Sequence, residues 1–254
     1  MQNSIKLLEN CRLYFFKSVV KNKKFIVLIF IYLIFIYSLY LFLDVGTMIK
    51  VAGEDGPIEY FTFFSFIVAS IFFTKAYLVI KNKFFILLAI VFFVGAGEEI
   101  SWGQRIFKFS TPDSLNRINV QHEFNIHNIE TFNGHYFDHT RKTGLAKLLT
   151  INYLYKIFWL SFGILLPIIV MLNKKIFFLI KSIKIPIPPL SIGIFFFVNW
   201  IVFKIVSSYL LSPNEPMAYY YTVSEVMESG TAFIFLVLSY YFFSGYYDDK
   251  INHL

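Results

Sequence analysis

The chain has 254 residues, of which 57% are hydrophobic and only 15% charged, with a formal net charge of +7. A soluble globular domain carries nearer about 25% charged residues, so the composition excludes a fold surrounded by water and makes lipid the solvent. The basic excess does not indicate nucleic acid either, because the Lys and Arg residues punctuate the gaps between apolar runs, as topology signals do.

The first apolar run, Phe25 to Leu43, is 19 residues without a charge and is long enough to span a bilayer as a helix. It follows a basic stretch with Lys6, Arg12, Lys17, Lys21, Lys23 and Lys24. A signal peptide has a shorter apolar core and a small-residue cleavage site, so this run reads as a retained anchor with its N-terminus inside. Cys11, the single cysteine, rules out an intrachain disulfide.

Further spans are expected at Ile58 to Ile80, Phe84 to about Gln104, Ile151 to Leu172, Leu190 to Leu211, and Met217 to about Tyr247. Six alternating spans put Lys81 and Lys83, the cluster Lys174, Lys175, Lys181 and Lys184, and both termini on the cytoplasmic side. The stretch Ile176 to Pro189 is too short and interrupted to span, and is expected to lie along the inner interface. Outside fall Asp44 to Pro57, the long stretch 101–150, and the Ser212 to Pro216 turn. The stretch 101–150 has enough aromatic residues to form a small cap.

The third span carries the sharpest polar signal, Gly95-Ala96-Gly97-Glu98-Glu99-Ile100-Ser101-Trp102-Gly103-Gln104-Arg105. Phe84 to Gly97 supplies 14 residues, about 21 Å of helix, where a hydrocarbon core of about 30 Å needs about 20 residues. A helix continuing through Glu98 and Glu99 places both carboxylates roughly 9 Å below the boundary. Carboxylates at that depth face protein or a wet cavity. On a continuous helix Glu98, Ser101, Trp102 and Arg105 share a face, either as a site or as a Glu98–Arg105 lock.

The second span opens with Glu54-Asp55-Gly56-Pro57-Ile58-Glu59, in which Pro57 suits the first helical turn and the acids suit the helix dipole. The last span carries Glu225 and Glu228, three apart and therefore on one face, and Lys204 in the fifth span is the expected counter-charge. The outer loop holds His122, His127, His135 and His139 among Glu123, Glu130 and Asp138. Imidazole and carboxylate together admit a divalent metal, although His122-Glu123 with His127 is one residue too long for the zinc-protease helix motif. The carboxamides of Asn119, Gln121 and Asn128 suit a hydrogen-bonded cap or the hydroxyls of a sugar or headgroup.

The strings Glu54-Asp55-Gly56-Pro57-Ile58-Glu59 and Gly97-Glu98-Glu99-Ile100-Ser101-Trp102-Gly103-Gln104-Arg105, with Asn119, His127 and Asn128, resemble those of small bacterial polytopic membrane proteins of uncharacterised activity. The likeness covers about half the chain. Glu98-Glu99 followed by an arginine is also similar to the CAAX-protease-like intramembrane peptidases. That likeness implies paired glutamates and histidines at a metal-dependent or water-activating site. In that family the arginine stands four residues after the second glutamate, and here Arg105 stands six after Glu99.

The expected architecture is an all-α, polytopic transmembrane helix bundle of about six spans, one integral membrane domain over 1–254, with 101–150 as an extracytoplasmic loop or cap. It suits a bacterial inner (plasma) membrane. Glu98, Glu99, His127, Glu225 and Glu228 are the candidate catalytic residues, and Glu59, Trp102, Gln104, Arg105, Asn119, Gln121 and Asn128 the candidate substrate-binding ones. The leading expectation is a hydrolase or transferase acting on a membrane lipid or lipid-linked substrate, with Arg105 holding an anionic headgroup. Its alternatives are a proton- or cation-coupled transporter or channel, or a non-catalytic subunit, with a homo-oligomer or a membrane-protein partner.

Overall fold

A computed structural model describes residues 19–138, 140–210 and 215–245. His139, Cys11, the basic residues Lys6, Arg12 and Lys17, and most of the Ser212–Pro216 turn lie outside the described residues. Among the described residues the regular elements are helices, and the loop holds two isolated antiparallel bridges, Asn119 to Ile129 and His135 to Arg141.

In chain order they are α1 (Lys23–Phe42), α2 (Val45–Ala52), α3 (Pro57–Ile80), α4 (Lys83–Glu99), α5 (Gln104–Phe107), α6 (Asp113–Asn116) and α7 (Gly144–Leu148). Then follow α8 (Ile151–Leu160), which runs through a π turn (Ser161–Leu165) into α9 (Leu166–Leu172), α10 (Lys174–Ser182), α11 (Leu190–Ile205) and α12 (Met217–Phe243). Five helical stretches are long and apolar enough to cross a membrane, and α4 with its continuation to Phe107 makes a sixth if a pair bent by 63° counts as one span. This is the architecture of a multi-pass integral membrane protein.

Local chemistry sets the helix starts. Asp44 caps α2, its carboxylate accepting from the Thr47 N–H at 3.0 Å and the Thr47 hydroxyl at 2.6 Å. Pro57 occupies the first turn of α3 with Glu59 behind it. The Asn82 side chain accepts from the Phe84 N–H and starts α4.

Hydrogen bonds between elements fix how the ends of the bundle group. The Asn82 amide donates to the Lys184 carbonyl at 2.6 Å, and Asn22 to the Ser191 hydroxyl at 3.0 Å, so the basic turns share one end. At the other end the Tyr40 and Thr222 hydroxyls meet at 2.8 Å, and Arg105, just after α4, reaches Glu59 at the start of α3. Every acidic residue of the candidate site lies toward this second end.

The central helix is α12. Two thirds of its most apolar window, 67%, is buried, against a third or less in each other span. Phenylalanines fill the space around it: Phe235 meets Phe196 at 4.6 Å and Phe92 at 4.7 Å between ring centroids. Polar clamps set the register. Asn199 accepts from the Tyr37 hydroxyl at 2.8 Å and donates to the Met227 carbonyl at 2.8 Å, bonds that lipid cannot replace. Gly193 lies directly on the Gly163 carbonyl, where a Cβ would sit 1.8 Å from the oxygen. The π turn of α8–α9 and α11 therefore cross backbone to backbone.

Two expectations are corrected here. The third span is not one continuous helix, because Ser101 (φ 45°), Trp102 (φ 52°) and Gly103 (φ 81°) are left-handed in succession and end α4 at Glu99. Nor does Lys204 face the last span. It is exposed on α11 with its ammonium over the Phe203 ring at 5.4 Å, and it forms no ion pair among the described residues. Asn199 faces α12, and Lys204, five residues on, stands about 140° around the helix from it.

Candidate functional site

The left-handed turn at Ser101–Gly103 builds the first half of the site. It folds the Trp102 ring back over Gly97, where an added Cβ would meet the indole at 2.8–2.9 Å. Gly97 thus makes room for a ring of its own chain. Trp102 Nε1 donates to Glu98 Oε1 at 2.7 Å, while the backbone N–H groups of Ile126 and His127 donate to Glu98 Oε2 at 2.7 and 2.8 Å. Imidazole Nδ1 of His127 stands 3.4 Å from the same oxygen. Glu98 is therefore the point at which the 100–150 loop is tied to the end of α4, and its partner is His127 rather than Arg105.

Arg105 is drawn into a separate cluster. Its guanidinium donates to Asp55 at 2.6 Å and Glu54 at 2.8 Å, pairs with Glu123, and lies 3.6 Å from Glu59. A planar fork with five donors suits several carboxylates at once. Four acidic partners already offset its charge, which leaves it little attraction for an anionic headgroup. A shallow recess opens beside it, lined by Asp55, Glu59, Tyr60, Glu99, Ile100, Arg105 and Ile106.

Burial pushes the Glu123 carboxyl up, but the Arg105 guanidinium, the Ser101 hydroxyl and the Asn125 amide outweigh it and hold the group below the ordinary carboxylate value. A lowered folded value means that the unfolded chain binds the extra proton, so stability rises with pH through this range. The contribution is expected in full above the unfolded value of about 4.3 and lost as pH falls through the folded one. Thermal unfolding in detergent between acidic and neutral pH should show that slope, and Glu123→Gln should flatten it; an unchanged slope removes the pairing from the stability of the loop.

The second half of the site lies deeper. Glu99 is within Coulombic reach of Glu228, Glu225, Glu59 and Glu98. Glu99, Glu225 and Glu228 sit among neighbouring helices yet keep some accessible surface, as the wall of a cleft does. Among the described residues none of the three has an ion pair or a side-chain hydrogen bond, whereas Arg105 and His127 both lie nearer other acids. The Tyr155 hydroxyl on α8 is buried, has no hydrogen-bond partner among the described residues, and lies within reach of Glu228 and Glu99. Such an orphaned hydroxyl costs about 1–3 kcal/mol unless a ligand or water satisfies it.

Sequence reasoning missed Tyr155, since one tyrosine in an apolar run carries no pattern. Glu54 and Asp55 carried only a helix-dipole signal, and Glu123 lay unranked among the loop acids.

The remaining polar residues build the loop itself. Asn119, Asn125 and Asn128 are buried. Asn119 accepts from the Gln121 and Glu123 N–H groups and donates to the Asn125 carbonyl. Asn128 donates to Gln121 and to Glu123 and accepts from Asn133. Gln104 accepts from the Phe124 N–H at 2.6 Å and donates to Thr111. The amides of Asn119 and Gln104 thus hold backbone in place, while those of Gln121 and Asn128 tie loop side chains to one another.

The described histidines do not converge. His122 Nδ1 faces the Asn116 carbonyl and side chain, His127 faces Glu98, and the backbone of His135 pairs with that of Arg141. Among the described residues no three His, Cys, Asp or Glu side chains are placed to hold a metal ion.

Comparison with protein-family models, curated proteins and solved structures finds no match to this chain. The function is therefore read from the site.

Proposed function

We propose that the protein is a membrane hydrolase or transferase acting on a lipid or lipid-linked substrate at the non-cytoplasmic face. The observation that carries the reading is the Glu98–His127 pair beside a cleft of uncompensated acids. A carboxylate against Nδ1 favours the proton on that nitrogen and leaves Nε2 as an acceptor, the orientation of a general base. In a hydrolytic step Nε2 takes a proton from water, the water oxygen forms a bond to the reacting carbonyl or phosphoryl centre, the bond from that centre to the leaving oxygen breaks with its electron pair on the oxygen, and the imidazolium returns the proton to it. The position of the pair, where α4 ends and the chain turns, suits a substrate anchored in the bilayer.

The topology belongs to the same reading: six spans, counting the bent pair, with both termini and the lysine turns cytoplasmic and the loop 101–150 as an external cap. Ser114→Cys, at an exposed position of the loop, in a Cys11→Ser background is expected to react with an impermeant reagent from outside intact cells. Reaction only after lysis or inversion of the membrane inverts the assignment. Turnover is tested with protein reconstituted in native lipid extract, following product release by mass spectrometry. His127→Asn is expected to stop release, and parental turnover in that variant sinks the general-base role.

A second reading, proton- or cation-coupled transport, is favoured by Glu99, Glu225 and Glu228, none of which has an ion pair among the described residues. Counterflow of protons or monovalent cations across sealed proteoliposomes, abolished by Glu228→Gln, separates it from the first.

A further inference from the structure

Since Arg105 is saturated, the cation that receives an anionic substrate must lie elsewhere. On the far side of Tyr155 the next residue, Lys156, places its ammonium 4.5 Å from the centre of the Trp200 ring on α11. Lys204 follows Trp200 by four residues and so lies on the same helical face. Lys204 and Lys147 lie within Coulombic reach of Lys156, which is itself partly desolvated. Among the described residues none of these three lysines has an ion pair, although the bundle carries an excess of acids a helix away. Around them Leu154, Ile157, Phe197, Ile201 and Ile205 are exposed apolar flanks of α8 and α11. Like charges within Coulombic reach of one another and unpaired with acids repel until an anion arrives, and an aromatic ring with snorkelling lysines is the pattern of a bilayer interface.

We propose that Lys147, Lys156 and Lys204, floored by Trp200, bind the phosphate of a phospholipid or lipid-linked phosphate whose acyl chain lies along the α8–α11 flank. This rests on the reading of the protein as an enzyme of lipid or lipid-linked substrates and narrows the substrate to a phosphate-bearing one. Consecutive residues of α8 then serve both halves of the molecule: Lys156 turns outward to the phosphate and Tyr155 inward to the acidic cleft. A lipid is favoured over a free anion because the patch has an apolar border and no enclosing wall.

The test uses the full chain in detergent, with short-chain phosphatidylglycerol, short-chain phosphatidylcholine and inorganic phosphate as probes and the unfolding temperature as readout. Phosphatidylglycerol is expected to raise it saturably, phosphatidylcholine weakly, and inorganic phosphate at the same concentration not at all. Lys156→Gln with Lys204→Gln is expected to weaken phosphatidylglycerol binding about thirtyfold, equivalent to about 2 kcal/mol, from two lysines facing an anionic headgroup. Lys156→Arg with Lys204→Arg retains binding, and Lys174→Gln with Lys175→Gln at the opposite end leaves it unchanged. Lys204 is exposed, so Lys204→Gln alone supplies a folded variant if the pair does not fold, with a loss of several-fold. Binding by the glutamine variants equal to the parent overturns the proposal, as does a response to inorganic phosphate equal to that of the lipid. Lipid binding intact in a chain without turnover leaves this site standing and removes the enzyme reading. Turnover indifferent to the lysine variants does the reverse.

Discussion

Arg105→Met is expected to destabilise the protein by about 3–5 kcal/mol, the cost of leaving a buried ionic partner uncompensated. The guanidinium gathers Glu54, Asp55, Glu59 and Glu123 within one fork. Glu54 and Asp55 are 62% and 56% exposed, so water screens them and they contribute little. Glu59 at 13% and Glu123 at 17% carry the penalty, because neither has a second cation within ion-pair distance among the described residues. Arg105→Lys keeps the charge but not the fork. It is expected to lose at least one charge-assisted hydrogen bond, about 1.5–3 kcal/mol. Thermal or denaturant unfolding in detergent measures both. A Met variant that unfolds with the parent shows that the cluster is solvated rather than structural. Adding Glu123→Gln to Arg105→Met should recover part of the loss, since one of the two stranded charges is then removed.

Turnover is expected to fall by about 10²–10⁴-fold in Glu98→Gln, the range that positioned proton transfer supplies. The substitution keeps the size of the side chain. Its amide oxygen still accepts from the Ile126 and His127 N–H groups, but the amide nitrogen then faces Trp102 Nε1, donor against donor. Some stability is lost as well, so folding must be followed in the same samples. Trp102→Phe separates the two effects, because it removes the indole donor and leaves the Glu98–His127 contact in place. Its turnover should drop far less than that of Glu98→Gln. Should Glu98→Gln and His127→Asn both fold and turn over as the parent does, the catalytic reading of this end of the bundle is wrong. The uncompensated acids of the cleft would then belong to transport.

The spans were legible in the sequence because lipid imposes a simple rule. Every backbone polar group must be satisfied within its own helix, so length and uninterrupted apolarity are enough to mark α1, α3, α8–α9, α11 and α12. Span length likewise marked Glu98 and Glu99 as unusual, and the three-residue spacing of Glu225 and Glu228 put them on one face of α12. Partnership was not legible. Arg105 belongs to Glu54, Asp55, Glu59 and Glu123 instead of Glu98, because three left-handed residues, Ser101 to Gly103, swing the chain through 63° just before it. Periodicity describes a continuous helix and carries no information about where such a turn aims a side chain. Lys204 was assigned to the acids of α12 by sign alone, yet the Asn199 clamp to Met227 fixes the rotation of α11 and leaves that lysine exposed beside Phe203. The sequence by itself determined which segments cross and which residues are out of place in lipid, since both follow from local transfer free energies. Only the tertiary structure decided which charges meet, because that depends on helix rotation and on one turn, set by packing between residues far apart in the chain.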